Sequence, residues 1–423
     1  MALIYDASFN SQTRVLSLLD KAGNVISSCE VPSKELVDNP KKPLMFKATQ
    51  DGSTVKLSKT GTPSGAFQVS RDGGNTWTDY TIDTAITLNI GDEVSFRTKS
   101  DRTSKQNYNH HFKFFVSGKI EAWHNVMSMY RTNDFATYNS VLEHAFHRLF
   151  MDCTSLTKAP VLPATTLANY CYYSMFSGCT SLTQAPVLPA TTLANYCYTH
   201  MFEGCDSLTK APVLPATTLA EYCYNQMFKG CASLTQAPQL PATTLAGLCY
   251  RMMFKVCTSL TQAPVLPATT LVTDCYRAMF SGCTSLTQAP VLPATTLANS
   301  CYSDMFSGCR SLRQAPELPA TTLANYCYRS MFSDCTSLTQ APVLPATTLN
   351  SYCYEYMFYY CSRLKEVRIA ATTEETNALN GWLYGVSETG DFYCDPSATI
   401  FPTDSISGIP KNWTRRNIAD YPN

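Results

Sequence analysis

Cysteine is the residue of this chain that could do chemistry in bulk. It stands at Cys153, Cys179, Cys205, Cys231, Cys257, Cys283, Cys309, Cys335 and Cys361, and again at Cys171, Cys197, Cys223, Cys249, Cys275, Cys301, Cys327 and Cys353, each series in steps of 26 residues. Thiols in such numbers suit a disulfide framework, metal ligation or nucleophilic attack. A framework belongs to exported chains. The opening MALIYDASFNSQTRV has no basic start and no continuous apolar core, so reduced thiols are expected. The eight-residue step from Cys171 to Cys179 is not a zinc-knuckle spacing, and no histidine completes a ligand set. No metal or other cofactor is therefore expected. His200 neighbours Cys197 and Cys205, but no acid at helical spacing orients a Cys–His pair. The acids Glu203, Asp206, Glu221, Asp274, Asp304 and Glu317 are scattered, without the facing pair that glycoside hydrolysis needs. His110 and His111 alternate on a strand and cannot chelate one ion together. The expectation is a protein that is not an enzyme, with cysteines used as small buried apolar groups.

The elements that position these residues follow from the fixed period. Self-similarity at 26 residues signals a stacked solenoid. In the unit Cys179–Gly204, Leu182, Ala185 and Val187 fit L-x-x-L-x-L and are read as the inward strand set. Pro189-Ala190-Thr191-Thr192 supplies a turn and a helix N-cap. Leu193, Cys197 and Met201, widened by Tyr198 and Phe202, make one face of a three-turn helix, which Gly204 stops in a left-handed conformation. Val256 holds that position in one unit, where a β-branched side chain is strained. Pro186 and its copies cannot donate to a ladder, so the strands must be very short.

The expected fold is multidomain: an N-terminal all-β, sandwich-like domain followed by an α/β leucine-rich-repeat solenoid of 26-residue coils with caps. Residues 1–40 form a docking arm of short β-prone runs, with Leu3, Ile4, Tyr5 and Phe9 as its apolar contacts. A hairpin packed on its own neighbours is the equal alternative. Residues 41–120 read as the sandwich, with strands at PLMFKAT, STVKLSKT, GAFQVS, ITLNI, EVSFRT and FKFFVSGKI. Residues 121–152 read as a helical N-terminal cap, a degenerate half-repeat with Val141, Ala145 and Leu149 on one stripe. Eight coils fill 153–360, and 361–423 close the stack with Trp382 and Trp413 over its open end.

Thirty-two basic residues balance 32 acidic ones, which leaves no electrostatic footprint for nucleic acid. No apolar run is long enough to span a membrane. No heptad pattern enforces a trimer, so homo-oligomerisation is open. Variation between coils gathers on the helix side, while TQAPVLPATTL recurs almost unchanged. Solvent exposure explains such drift. A graded recognition surface explains it too, and would comprise Tyr173, His200, Gln226, Arg251, Arg277, Arg329, Tyr356, Tyr359 and Tyr360, with the last three as an aromatic hot spot.

The units M-F-x-G-C-x-S-L, as in Met175-Phe176-Ser177-Gly178-Cys179-Thr180-Ser181-Leu182, resemble BspA-type leucine-rich repeats of gut and oral bacteria and the related repeats of mycoplasma surface proteins. The ending GWLYGVSETGDFYC…GIPKNWT resembles the cap of Bacteroides members, and Pro43 to Gly118 is similar to a domain that precedes such repeats in Bacteroides and their phages. The coils depart from that family in having 26 residues where about 23 is usual. The resemblance implies adhesion without catalytic residues. Joined to the absence of an export signal, it implies a phage virion fibre or decoration protein, docked on other virion proteins through residues 1–40 and presenting its solenoid to a host surface glycan or protein. The alternative is a bacterial cell-surface adhesin.

Overall fold

A computed structural model describes residues 6–10, 15–19, 25–30, 39–103 and 106–421. The chain divides into two compact units, residues 1–217 with 238–241, and 218–237 with 242–423. Its class is an N-terminal β-sheet region followed by β-solenoid coils of 26 residues.

In the first unit, β1 (Asp6–Asn10), β2 (Val15–Leu19) and β3 (Val25–Glu30) form an antiparallel meander at the three β-prone runs of the leader. Next come β4 (Met45–Ala48), β5 (Ser53–Thr60), β6 (Phe67–Ser70), β7 (Thr78–Tyr80), β8 (Ile86–Leu88), β9 (Glu93–Thr98), β10 (His111–Ser117) and β11 (Ile120–Trp123). β12 (Leu156–Lys158) belongs to the first coil. Two sheets result, ordered β12-β11-β4-β9-β6-β7 and β10-β5-β8. They face each other across phenylalanines. Phe114 of the smaller sheet lies 4.7 Å from Phe46 and 5.2 Å from Phe96 of the larger.

The larger sheet runs on into the solenoid. β12 pairs parallel with β11, and Val126 N–H donates to Val161 O at 3.2 Å. The ring of Phe114 continues as a stack through Phe150 and Phe176 to Phe202, at 5.4, 5.4 and 5.7 Å. A core residue of the sandwich is thus the first rung of the solenoid's phenylalanine ladder.

The helix expected in each coil, and the helical segment expected at 121–152, are not formed. Among the described residues the helical turns are two 3-10 turns, Val126–Met129 and Ile418–Asp420. Where a helix was expected, N–H groups alternate between two kinds of partner. Tyr170, Tyr172, Ser174, Phe176 and Gly178 donate to the carbonyls of Asn195, Cys197, Thr199, Met201 and Glu203 in the next coil, at 2.7–3.1 Å. Cys171, Tyr173, Met175, Ser177 and Cys179 donate to the carbonyl three residues back, at 3.0–3.3 Å. Every fourth residue is left-handed: Tyr170 at φ 57, Ser174 at 51, Gly178 at 74. The reason is spacing. Neighbouring helix axes pack about 8–10 Å apart, whereas the buried rings of successive coils stack at 5.4–6.0 Å. Only backbone bonded directly from coil to coil allows that approach. Residues four apart share a side in this turn ladder as they nearly do in a helix, so the buried set Cys197, Tyr198, Met201 and Phe202 suits both.

Two further expectations about the repeat are corrected. Val187 is 38% exposed, while Leu188 and Ala190 are buried, so the inward set is Leu182, Pro186, Leu188 and Ala190. Alternation restarts at the proline, one residue out of step with L-x-x-L-x-L. Thr192 caps no helix and instead forms a single parallel bridge with Thr166. Besides that bridge, neighbouring coils meet at single bridges such as Gln184 with Lys210, and in the second unit Gln262 with Gln288. That is shorter even than the prolines suggested.

The second unit carries its own ladders, Tyr224 to Tyr354 and Phe228 to Phe358, each centroid step 5.6–6.0 Å. Its last part forms true strands: β13 (Gln340–Leu344), β14 (Thr348–Leu349), β15 (Glu366–Ile369), β16 (Thr373–Glu374), β17 (Gly390–Cys394) and β18 (Trp413–Asn417). β13, β15, β17 and β18 make one parallel sheet through Gln340–Glu366, Glu366–Asp391 and Asp391–Thr414. β15, β17 and β18 contain no proline, which lets the ladder lengthen. The described segment 361–421 therefore goes on coiling with shorter steps. Trp382 is buried against Phe392 and Phe401, and its indole N–H donates to Ser407 O at 3.1 Å.

Candidate recognition surface

The cysteines settle into the core. All eighteen thiols whose side chains are described are buried. One series donates its S–H across coils to a phenylalanine carbonyl: Cys153 to Phe114 O at 3.1 Å, Cys257 to Phe228 O at 3.0 Å, Cys361 to Phe332 O at 3.0 Å. Burial pushes the Cys197 and Cys249 thiols up to about 12, far from the thiolate that attack or ligation requires. Among the described residues no three His, Cys, Asp or Glu side chains are grouped to hold a metal ion, and no helix is long and apolar enough to cross a membrane.

Exposure falls on the unvarying side of the coil. Thr183, Gln184, Thr191 and Thr192 are exposed, as are Val265 and Val291 in the second unit. The variable pairs are half-buried or buried, and Thr199, Asn225 and Ser303 are among the buried. Free drift at solvated positions does not describe this edge.

Each unit gathers part of the candidate set. In the first, Tyr173 stacks on His147 at 5.1 Å and meets the edge of His200 at 5.5 Å. Against the sequence expectation an acid does orient this imidazole, since His200 Nδ1 lies 2.5 Å from Glu203 Oε2, but Cys197 and Cys205 on either side are buried. A parallel row runs from His144 to Tyr170 to Tyr196, at 4.7 and 4.5 Å. His111, His144 and His147 come together here, which the sequence hid because more than thirty positions separate His111 from the others. His147 is fully buried, and burial, with Arg148, His111 and His144 nearby, holds its imidazole down to about 2.

In the second unit two of the charged candidates are ion-paired. Arg277 pairs with Asp274 at 3.3 Å and approaches Asp304 at 3.8 Å. Arg329 Nε pairs with Glu355 Oε2 at 2.6 Å, and Glu355 Oε1 accepts from Asn380 at 3.2 Å. Gln226 and Arg251 are half-buried; Arg251 Nε has no hydrogen-bond partner. Tyr356, Tyr359 and Tyr360 are brought together and joined by Tyr384 of the following coil. Tyr359 stacks on Tyr384 at 5.4 Å and 19°, and Tyr360 stands at 89° to Tyr384 with centroids 5.6 Å apart. Tyr360 is 45% and Tyr384 51% exposed. Tyr384 is absent from the expected set because 361–423 reads as a cap rather than as further coils. The copy Met357-Phe358-Tyr359-Tyr360 to Trp382-Leu383-Tyr384-Gly385 was the signal for it. Of the arm contacts, Phe9 lies on β1, while Leu3, Ile4 and Tyr5 fall outside the described residues.

The family model for the BspA type leucine-rich repeat region matches six copies, over residues 134–235 and 250–379. No curated protein and no solved structure matches.

Proposed function

Because the chain belongs to the BspA-type leucine-rich repeat family, we propose that it is an adhesion protein, a binder rather than an enzyme, that recognises a surface ligand through the turn edge of its coils. The observation that carries this reading is the tyrosine cluster of the second unit. Four rings converge, two of them about half exposed, whereas most of the other described aromatics are buried. Exposed, mutually braced tyrosines are characteristic anchors of binding sites.

In its finer form the reading makes the protein a virion fibre or decoration protein, mounted through residues 1–40 on other virion proteins and contacting a host surface glycan or protein. That form is suggested by the likeness of residues 43–118 to a domain that precedes such repeats in Bacteroides and their phages, together with the opening sequence, which does not read as an export signal. The family match supports a bacterial cell-surface adhesin equally, and immunogold labelling of particles against cells separates the two carriers. Adhesion itself is tested by retention of full-length protein on intact cells. Wild-type retention with loss in Tyr360→Ala/Tyr384→Ala supports the reading, and no retention on any candidate host overturns it.

A further inference from the structure

The tyrosine cluster has a floor and a wall. A Cβ built on Gly385 would come within 2.6, 3.0 and 3.2 Å of Cδ1, Cε1 and Cγ of Tyr360, so this ring lies on the glycine backbone. Tyr356 sits on Gly381 in the same way, at 2.5 and 2.6 Å from Cε1 and Cδ1. Both glycines are left-handed, at φ 75 and 63. Seated there, Tyr360 remains 45% exposed. Tyr384 and Tyr359 stack on each other and both stand across Tyr360, at 89° and 83°, with centroids 5.6 and 4.5 Å from it. Asp334 holds the position of Tyr360 one coil earlier, half-buried, with its N–H on Tyr359 O at 2.7 Å.

We infer that this corner is a saccharide site, taking a neutral pyranose. The inference rests on the adhesion reading and names its ligand. An apolar C–H face of a sugar ring stacks on an aromatic face, which the floor supplies. The wall limits the ring on one side, and the phenol hydroxyls serve as donors and acceptors for sugar hydroxyls. The Asp334 carboxylate accepts from hydroxyls and repels a carboxylated sugar. A flat, neutral ring with donor hydroxyls meets all of these conditions.

The test uses full-length protein on immobilised neutral gluco-, manno- and galacto-oligosaccharides, with sialylated and uronate-bearing oligosaccharides as the charged set. Retention is expected on at least one neutral member and not on the charged set. Tyr384→Ala and Tyr360→Ala should each weaken it roughly tenfold or more, with melting temperature near wild type because both rings are exposed. Asp334→Asn keeps a residue that tolerates left-handed backbone and should relax rejection of the charged set. No neutral retention, or retention indifferent to both tyrosine variants, overturns the inference. If cell binding depends on the same tyrosines while no saccharide is retained, the ligand is a protein; the saccharide inference then fails and the adhesion reading stands.

Discussion

At the scale of single residues, backbone conformation and burial decide most outcomes. Val256 occupies the left-handed position, φ 61, that glycine fills in Gly230, Gly282 and Gly308. A left-handed conformation costs about 1–2 kcal/mol for a residue with a Cβ. Val256→Gly should therefore raise stability by about 1 kcal/mol in urea unfolding; a loss would show that the valine packs better than its backbone suffers. The thiols give a second expectation. Buried and held protonated, the ladder cysteines should resist a thiol reagent in the native protein and react together once it is unfolded. Several thiols labelled at once under native conditions would contradict the packing described. His147 gives a third. Its folded pKa lies below its unfolded one, so its contribution to stability is complete above about 6.5 and falls away as pH drops from there toward about 2. Thermal unfolding of the first unit, followed by Trp77 and Trp123, should show that acid slope, and His147→Phe should flatten it.

Between elements, the variable edge acts as a set of matched contacts. Arg329 of one coil meets Glu355 of the next, and Glu355 meets Asn380 of the one after. Glu355 is buried, so Arg329→Ala leaves a carboxylate without its cation and should cost about 1–3 kcal/mol. A double-mutant cycle with Glu355→Gln should return a coupling of about 1 kcal/mol; additivity would show that the pair is ornamental to stability. This edge was only half readable in the sequence. That it varies was plain, but partnership is set by residues 25 or 26 positions apart, and no local pattern carries it. The turn ladder was missed for a related reason. Apolar residues four apart predict the buried face correctly for helix and turn ladder alike, and what decides between them is the distance at which Tyr250 and Tyr276 stack, a property of two coils together. By contrast STVKLSKT and EVSFRT were legible to the residue, because alternation and turn signals act within one strand.

At the scale of the molecule, the period itself was the most legible property, since coil upon coil must repeat what it stacks. Its two closures were less so. The sandwich was read as a neighbour of the solenoid, yet Phe114 enters the ladder and Cys153 donates to its carbonyl. Phe114→Ala should cost about 3–5 kcal/mol and loosen the first coil together with the sandwich, as amide exchange in residues 144–156 would report. Protection there equal to wild type would separate the two.

The near-identity of TQAPVLPATTL from coil to coil has a consequence at the level of the gene. Such stretches invite recombination between copies, and because each is worth 26 residues the product stays in frame with both its ladders and its inter-coil bonds. Excising residues 283–308 would bring Cys309 behind Gly282, a junction the chain already contains as Gly282-Cys283. Loss or gain of a coil in this way would change the length in steps of 26 residues and leave the tyrosines at 356–384 in place.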